Sequence, residues 1–418
     1  MAEINALRCV IGGCDYTVDE VSYTCPLHGE VGTLDILYDY EALRASLDRD
    51  ALTAEGPGNC WRYKALLPVD REGRTPPLSV GWTPLYESPR IAAVLGLERV
   101  WVKDDGANPT GSLKDRASAL VLARALAKGI EVVSTASTGN AAAALAGLGA
   151  SLPEIETVIF VPAAAPAAKV AQLLVYGAQV LLVDGSYDDA FELCLAVCDE
   201  QGWYSRNTGV NPFTTEGKKT VALEIAEQLG WNAPDVLVLS VGDGSIISGV
   251  HKGFSDLMRL GWIERMPRLI GVQAEGSAVL AEAFDAGLAP QAISRRPAVT
   301  IADSIASELP RDRAKALRAV RTSGGAFVKV SDAAISQAIP RFAQLSGIFA
   351  EPAAAAAFAG LELAVQSKLI HPEESVCLLS TGNGLKDIAR ARDSVRGGIP
   401  VAPDIAAVRQ ALGSAGLL

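Results

Sequence analysis

The chain has 418 residues, 49% of them hydrophobic and 20% charged, enough for two or three domains and a core that needs no disulfide scaffold. Forty-eight acidic against 37 basic residues give a net charge of −11, which excludes holding nucleic acid or an anionic membrane by bulk charge. The longest uncharged run, 132–153, carries hydroxyls, an amide and three glycines, so it is no membrane span, and the N-terminus has no apolar signal region. A cytoplasmic protein that touches neither membrane nor nucleic acid is expected.

The first 40 residues stand apart, with three of the seven cysteines, closely spaced glycines and little helical periodicity. Cys9 and Cys14, then Cys25 and His28, form two ligand pairs. Three thiolates and an imidazole would close a tetrahedral, structural zinc site with no position left for water. Cys60, Cys194, Cys198 and Cys377 read instead as small apolar core residues.

After a polar connector over roughly 48–83, a pattern repeats: a short β-branched run, a Gly/Ser/Thr turn, then an Ala/Leu-rich amphipathic stretch. RVWVK (Arg99 to Lys103), EVVSTAS, TVIFVP, QVLLVD, DVLVLSVGDGS and SVCLLSTGNG are the runs. Such alternation predicts parallel sheet with crossover helices, an α/β fold whose ligands bind where strands end and helices begin.

Four of those turns carry chemistry. In NPTGSLKDRAS, Ser112 is a candidate N-cap and Lys114 falls in the first helical turn, where the helix dipole disfavours a cation and lowers an amine's pKa. In STASTGN, Ser137, Thr138, Gly139 and Asn140 offer hydroxyls, an amide and free N–H groups, a set that suits a carboxylate. In SVGDGSIISG, Gly242, Gly244 and Ser245 open a helix as a phosphate cradle without the lysine of a nucleotide loop; Asp243 must point away from any anion there. In LLSTGNGLKD, Ser380 and Thr381 end a strand, and a neutral hydroxyl could meet a heteroaromatic nitrogen. Each turn alone also reads as ordinary capping. In this order, an imine-forming lysine, an anion nest, a phosphate cradle and a hydroxyl are the contacts that pyridoxal phosphate needs.

Over nearly its whole length the sequence resembles the fold-type II pyridoxal-phosphate enzymes, the tryptophan-synthase-β-like group, and within them the threonine synthases. The resemblance rests on WRYKALLPV, GWTPL, NPTGSLKDR, ASTGN, the NP…EGKKT stretch (Asn211 to Thr220), the glycine loop, GVQAEG, TIADSI, GIFAEPAAAAA and STGNGLKD. It implies two three-layer α/β domains with parallel or mixed sheets and a small zinc-ribbon-like segment over 1–40. The larger, cofactor-binding domain would take 41–110 and 206–418, the smaller 111–205, in a homodimer acting on a small amino-acid substrate.

By the same resemblance, Lys114 is the Schiff-base lysine and acid/base shuttle, and Asn140 meets the cofactor's 3′-oxygen. Gly242, Asp243, Gly244, Ser245 and Ile246 line the phosphate loop, Thr381 faces the pyridine nitrogen, and Ser137 and Thr138 hold the substrate carboxylate. The implied reaction turns O-phosphohomoserine and water into threonine and phosphate. Two positions depart from the family: Thr214 stands where an arginine usually grips the substrate phosphate, and Ala141 where a hydroxyl is common. Lys218, Lys219 or Arg116 are candidates to replace that arginine. The departures leave open a threonine/serine dehydratase, or a related enzyme of β- or γ-elimination or replacement. His251, His371, Glu216 and Glu351 are expected only to pack, cap or turn. A non-enzymatic binding module would not need Lys114, and a nicotinamide enzyme would need a fuller glycine pattern.

Overall fold

The computed structural model describes residues 4–417. Each of the six apolar runs forms a strand, because β-branched residues fit a pleated surface, and all but the edge strand Gln179–Val183 are mostly buried. Near the N-terminus β1 (Ile4–Cys9), β2 (Asp15–Tyr16) and β3 (Leu34–Tyr38) make a small antiparallel sheet in the order β2-β1-β3. β4 (Leu85–Glu87) and β5 (Arg99–Asp104) precede a second group: β6 (Val132–Ala136), β7 (Glu156–Pro162), β8 (Gln179–Val183) and β9 (Tyr204–Ser205). β10 (Val236–Ser240), β11 (Arg268–Ala274), β12 (Ala326–Val330) and β13 (Ser375–Ser380) follow.

The larger sheet runs β12-β11-β10-β13-β5-β4, parallel except for the β4–β5 edge pair; the other runs β8-β7-β6-β9, all parallel. β10 shows why the larger sheet is the middle of three layers. Leu237 and Leu239 face one apolar core while Val236 and Val238 face another, the period-2 alternation of a strand covered on both sides. Cys377 and Leu379 against Val376 and Leu378 repeat the pattern in β13. The alanine-rich helix Pro352–Gln366 lies close on one face, where a Cβ at Gly360 would come within 2.2 Å of Val272 Cγ2. Cys60, Cys194, Cys198 and Cys377 are buried free thiols, as expected of core residues.

The strand-to-helix turns of both sheets open toward a common cavity of about 430 Å³. Among the described residues no helix is long and apolar enough to cross a membrane.

Candidate active site

Lys114 opens the helix Lys114–Ala127, and the turn before it is pinned from below. Leu113 N–H donates to the Thr381 carbonyl (2.9 Å), Asn383 N–H to the Gly111 carbonyl (2.9 Å), and Thr110 N–H to the Asp115 carboxylate (2.7 Å). Behind it Arg116, fully buried, is neutralised by Asp105 and Glu224 at 2.7 and 2.5 Å. Ser112 takes a partial capping role, its Oγ accepting from Lys114 N–H at 3.4 Å. Lys114 lines the cavity, and its ammonium has no hydrogen-bond or ion-pair partner among the described residues. Burial, reinforced by nearby Arg206, lowers its pKa to about 8.

Opposite, β10 ends in the Gly242–Ile246 loop and the helix Ser245–Leu260 begins, its first N–H groups without a side-chain cap. Gly244 has φ +88°, and a Cβ there would meet Ala316 Cβ at 2.8 Å, so only glycine lets the loop close on its support. Asp243 does turn from the cradle: its Oδ1 accepts from Arg311 N–H at 2.6 Å. Burial first, then the neighbouring Asp312, push its carboxyl up to about 7, which softens the charge it brings to an anion site.

Ser137, Thr138 and Asn140 line the same cavity from the end of β6 and the start of the helix Asn140–Gly149. The Asn140 amide donates to both Glu351 oxygens, at 2.9 and 3.0 Å. Glu351 therefore does more than the turn role expected for it: it makes no capping bond and its buried carboxylate orients Asn140. Glu216 likewise is no simple turn residue, since it is buried against Tyr38 and Lys219, each at 2.5 Å. His251 packs, its Nε2 2.8 Å from Thr322 Oγ1.

Thr381 is not among the cavity-lining residues. Its carbonyl is tied to Leu113, so the Lys114 turn lies over the end of β13, and the side chain is buried behind that turn. Thr214 also lies outside the lining, its hydroxyl donating to the Asn211 carbonyl at 2.8 Å. Of its three candidate replacements, Lys219 is paired with Glu216 and Asp256, and Arg116 with Asp105 and Glu224. Lys218 alone approaches the site, donating to Ser245 Oγ and, at 3.4 Å, to Thr208 Oγ1.

Sequence reasoning missed the third wall, Arg206, Asn207 and Thr208, which continue from β9. Asn207 Oδ1 accepts from Ala136 N–H (2.9 Å) and Thr135 Oγ1 (3.0 Å), strapping the end of β6. The available signal was an arginine two residues after the aromatic pair Trp203–Tyr204.

In the N-terminal sheet, ligand atoms of Cys9, Cys25 and His28 lie within 4.8 Å of one another. His28 Nδ1 is 3.5 Å from Cys9 Sγ and 3.2 Å from Cys25 Sγ. Cys14, the fourth expected ligand, is outside this group, its Sγ 3.9 Å from the Gly12 carbonyl.

An amine unpaired among the described residues and a loop that only glycine lets close on its support, at the open start of a helix, make a donor set that fits pyridoxal phosphate. The comparisons agree. A family model described as pyridoxal-phosphate dependent enzyme matches residues 77–382. The threonine synthase of Methanosarcina acetivorans is 40% identical over 407 residues, covering 97% of this chain and 98% of that one. The threonine synthase of Methanocaldococcus jannaschii is 38% identical (91% and 92% covered), and that of Mycobacterium tuberculosis 35% (86% and 97%). Among solved structures, threonine deaminase isoform 2 of Solanum lycopersicum superposes with TM-score 0.64 at 22% identity, covering 75% of this chain and 87% of that one. Diaminopropionate ammonia lyase of Escherichia coli superposes at 0.65 and 18%, covering 83% and 92%. Those two likenesses concern the fold alone.

Proposed function

The chain belongs to the pyridoxal-phosphate dependent enzymes and is a threonine-synthase-like lyase, and on that premise we propose that it converts O-phosphohomoserine and water to threonine and phosphate. The observation that carries the reading is a half-buried amine, Lys114 Nζ, without a partner among the described residues and lining one cavity with an anion cradle at the start of the helix Ser245–Leu260.

Pyridoxal phosphate, when bound, supplies an aldehyde for an amine and a conjugated ring that draws electrons from the substrate's α-carbon. The chain's residues then divide the work. Backbone N–H groups of Gly242, Asp243, Gly244, Ser245 and Ile246 hold the cofactor's phosphate, aided by the helix dipole. Asn140, steadied by Glu351, meets the 3′-oxygen. Ser137 and Thr138 take the substrate's carboxylate. Lys114 Nζ, already biased toward its free-base form, removes the proton from the substrate's Cα and later shuttles one at Cβ.

The test is product analysis with purified protein. Phosphate released in step with threonine from O-phosphohomoserine is the expected result. Ammonia and a 2-oxo acid formed from threonine or serine, without phosphate release from O-phosphohomoserine, would instead make it a dehydratase.

The same reading extends to a structural zinc held by Cys9, Cys25 and His28, with Cys14 turning in as fourth ligand. The sulfur–nitrogen separations of 3.2 and 3.5 Å are near the edge of a tetrahedron with Zn–S of about 2.3 Å and Zn–N of about 2.0 Å. Metal analysis checks it: about one zinc per chain is expected. A homodimer is also proposed. The helix Ile405–Ser414 buries none of its side chains on its own chain and exposes Ile405 and Val408, an apolar stripe that a second copy could cover.

A further inference from the structure

Resting on the substrate proposed above, we propose that Arg206 grips the substrate's phosphate in place of the arginine missing at position 214, with Thr208 and Lys218 completing the site.

Arg206 lines the cavity yet is buried, and no carboxylate lies within ion-pair distance of it among the described residues. The fold treats Arg62 and Arg116 differently, setting Glu227 against the first and Asp105 with Glu224 against the second. A guanidinium sealed from water without a counter-charge is costly unless an anion completes it. Its Nε donates to Ser118 Oγ (3.0 Å), one Nη to Thr208 Oγ1 (2.9 Å) and the other to the Lys114 carbonyl (3.4 Å). Three of five N–H donors are thus spent on holding the fork in place, and one on each Nη remains. That is the arrangement for bidentate capture of a phosphate.

Lys218 adds a second positive charge behind this corner. Its ammonium is fully buried, has no carboxylate partner among the described residues, and bridges Ser245 Oγ of the phosphate loop and, at 3.4 Å, the same Thr208 hydroxyl. Two unpaired cations converging on one hydroxyl repel each other unless a ligand brings about two negative charges. A phosphate monoester does so; a carboxylate, with one, does not. The contact to the Lys114 carbonyl ties this corner to the start of the helix that carries the reacting amine, and Arg206 and Lys114 line the same cavity. The cofactor cradle at 242–246 is built of backbone N–H groups and needs no arginine.

The experiment compares holoenzyme of the native chain, Arg206→Gln, Arg206→Lys and Thr208→Val. It reads KM and kcat for O-phosphohomoserine, and binding of 2-amino-5-phosphonopentanoate and of norvaline by the change in cofactor absorbance. Arg206→Gln should raise KM and weaken the phosphonate roughly 10- to 100-fold while leaving norvaline binding unchanged, and Arg206→Lys should recover part of the loss. Equal weakening of both ligands, or no weakening of the phosphonate, overturns the proposal. Should Arg206→Gln not fold, the lysine and Thr208→Val variants carry the same selective prediction. If the native chain binds the phosphonate through Arg206 but does not turn over O-phosphohomoserine, the substrate reading falls and the phosphate site stands. If it does not bind the phosphonate at all, the site falls too.

Discussion

Arg206 and Lys218 are buried cations and Lys114 is a half-buried one close by, and desolvation drives the pKa of each downward: Lys114 to about 8, Arg206 to about 10, and Lys218 well below its ordinary value. After burial, Lys114 feels Arg206, and Lys218 feels Lys114, as a like charge. An amine must be unprotonated to attack an aldehyde. The rate at which cofactor-free protein takes up pyridoxal phosphate should therefore rise with pH and level off above about 8, followed by the growth of the bound-cofactor absorbance. A profile still rising toward the ordinary lysine range, near 10.5, would mean that burial does not act on this amine. Lys114→Ala should abolish both that absorbance and turnover, a loss of at least about 1,000-fold in kcat, because it removes the nucleophile and the proton carrier together. A borohydride label mapped to any other lysine contradicts the assignment.

Lys114 and Lys218 lie on two of three helices that pack in series, and glycines set how closely those helices cross. In the helix Phe213–Gln228, a Cβ at Gly217 would fall 2.3 Å from the Arg116 carbonyl oxygen; in the helix Ser245–Leu260, one at Gly253 would fall 2.5 Å from the Lys219 carbonyl oxygen. Backbone atoms cannot swing aside, so Gly217→Ala should push the Lys114 helix away and cost about 1–3 kcal/mol, read as a lower thermal midpoint with weaker cofactor retention. An unchanged midpoint would mean that the helices shift freely. The apolar runs of Val and Leu in β10 and of Val, Cys and Leu in β13 were legible in sequence because burial on both faces leaves a local pattern. So was the Lys114 turn, whose Asn, Pro, Thr and Gly are local turn chemistry. Arg206 was not legible, because nothing near it in sequence says that its partners are Ser118 and the Lys114 carbonyl, some 90 residues away. Glu351 and Asn140, 211 residues apart, were hidden for the same reason. A capping pattern at each end gave no hint that tertiary contact would override it.

At the scale of the molecule, the N-terminal sheet braces the site from outside. Glu30 pairs with Arg311 (3.0 Å) and Arg313 (2.9 Å), Lys315 donates to the Leu34 carbonyl (2.7 Å), and Arg318 pairs with Asp35 (2.5 Å). Arg311 is also the residue whose N–H holds Asp243 in the phosphate loop. Beneath these ion pairs Leu7, Leu34, Ile36 and Tyr38, each at most 4% exposed, belong to the same apolar core as β10 and β13. Four such side chains at about 1.5–3 kcal/mol each amount to roughly 6–12 kcal/mol, as large as the whole stability of an ordinary domain, about 5–15 kcal/mol. Part of that burial lies within the small sheet itself, so the sum is an upper bound, but even half would remove most of the margin. Residues 4–40 are therefore a wall of the core rather than an appendage. Deleting them should yield protein that is insoluble, or soluble without a cooperative thermal transition and without bound cofactor. A chain from residue 41 that melts cooperatively at the native midpoint and keeps its cofactor would show that the remaining core closes by itself.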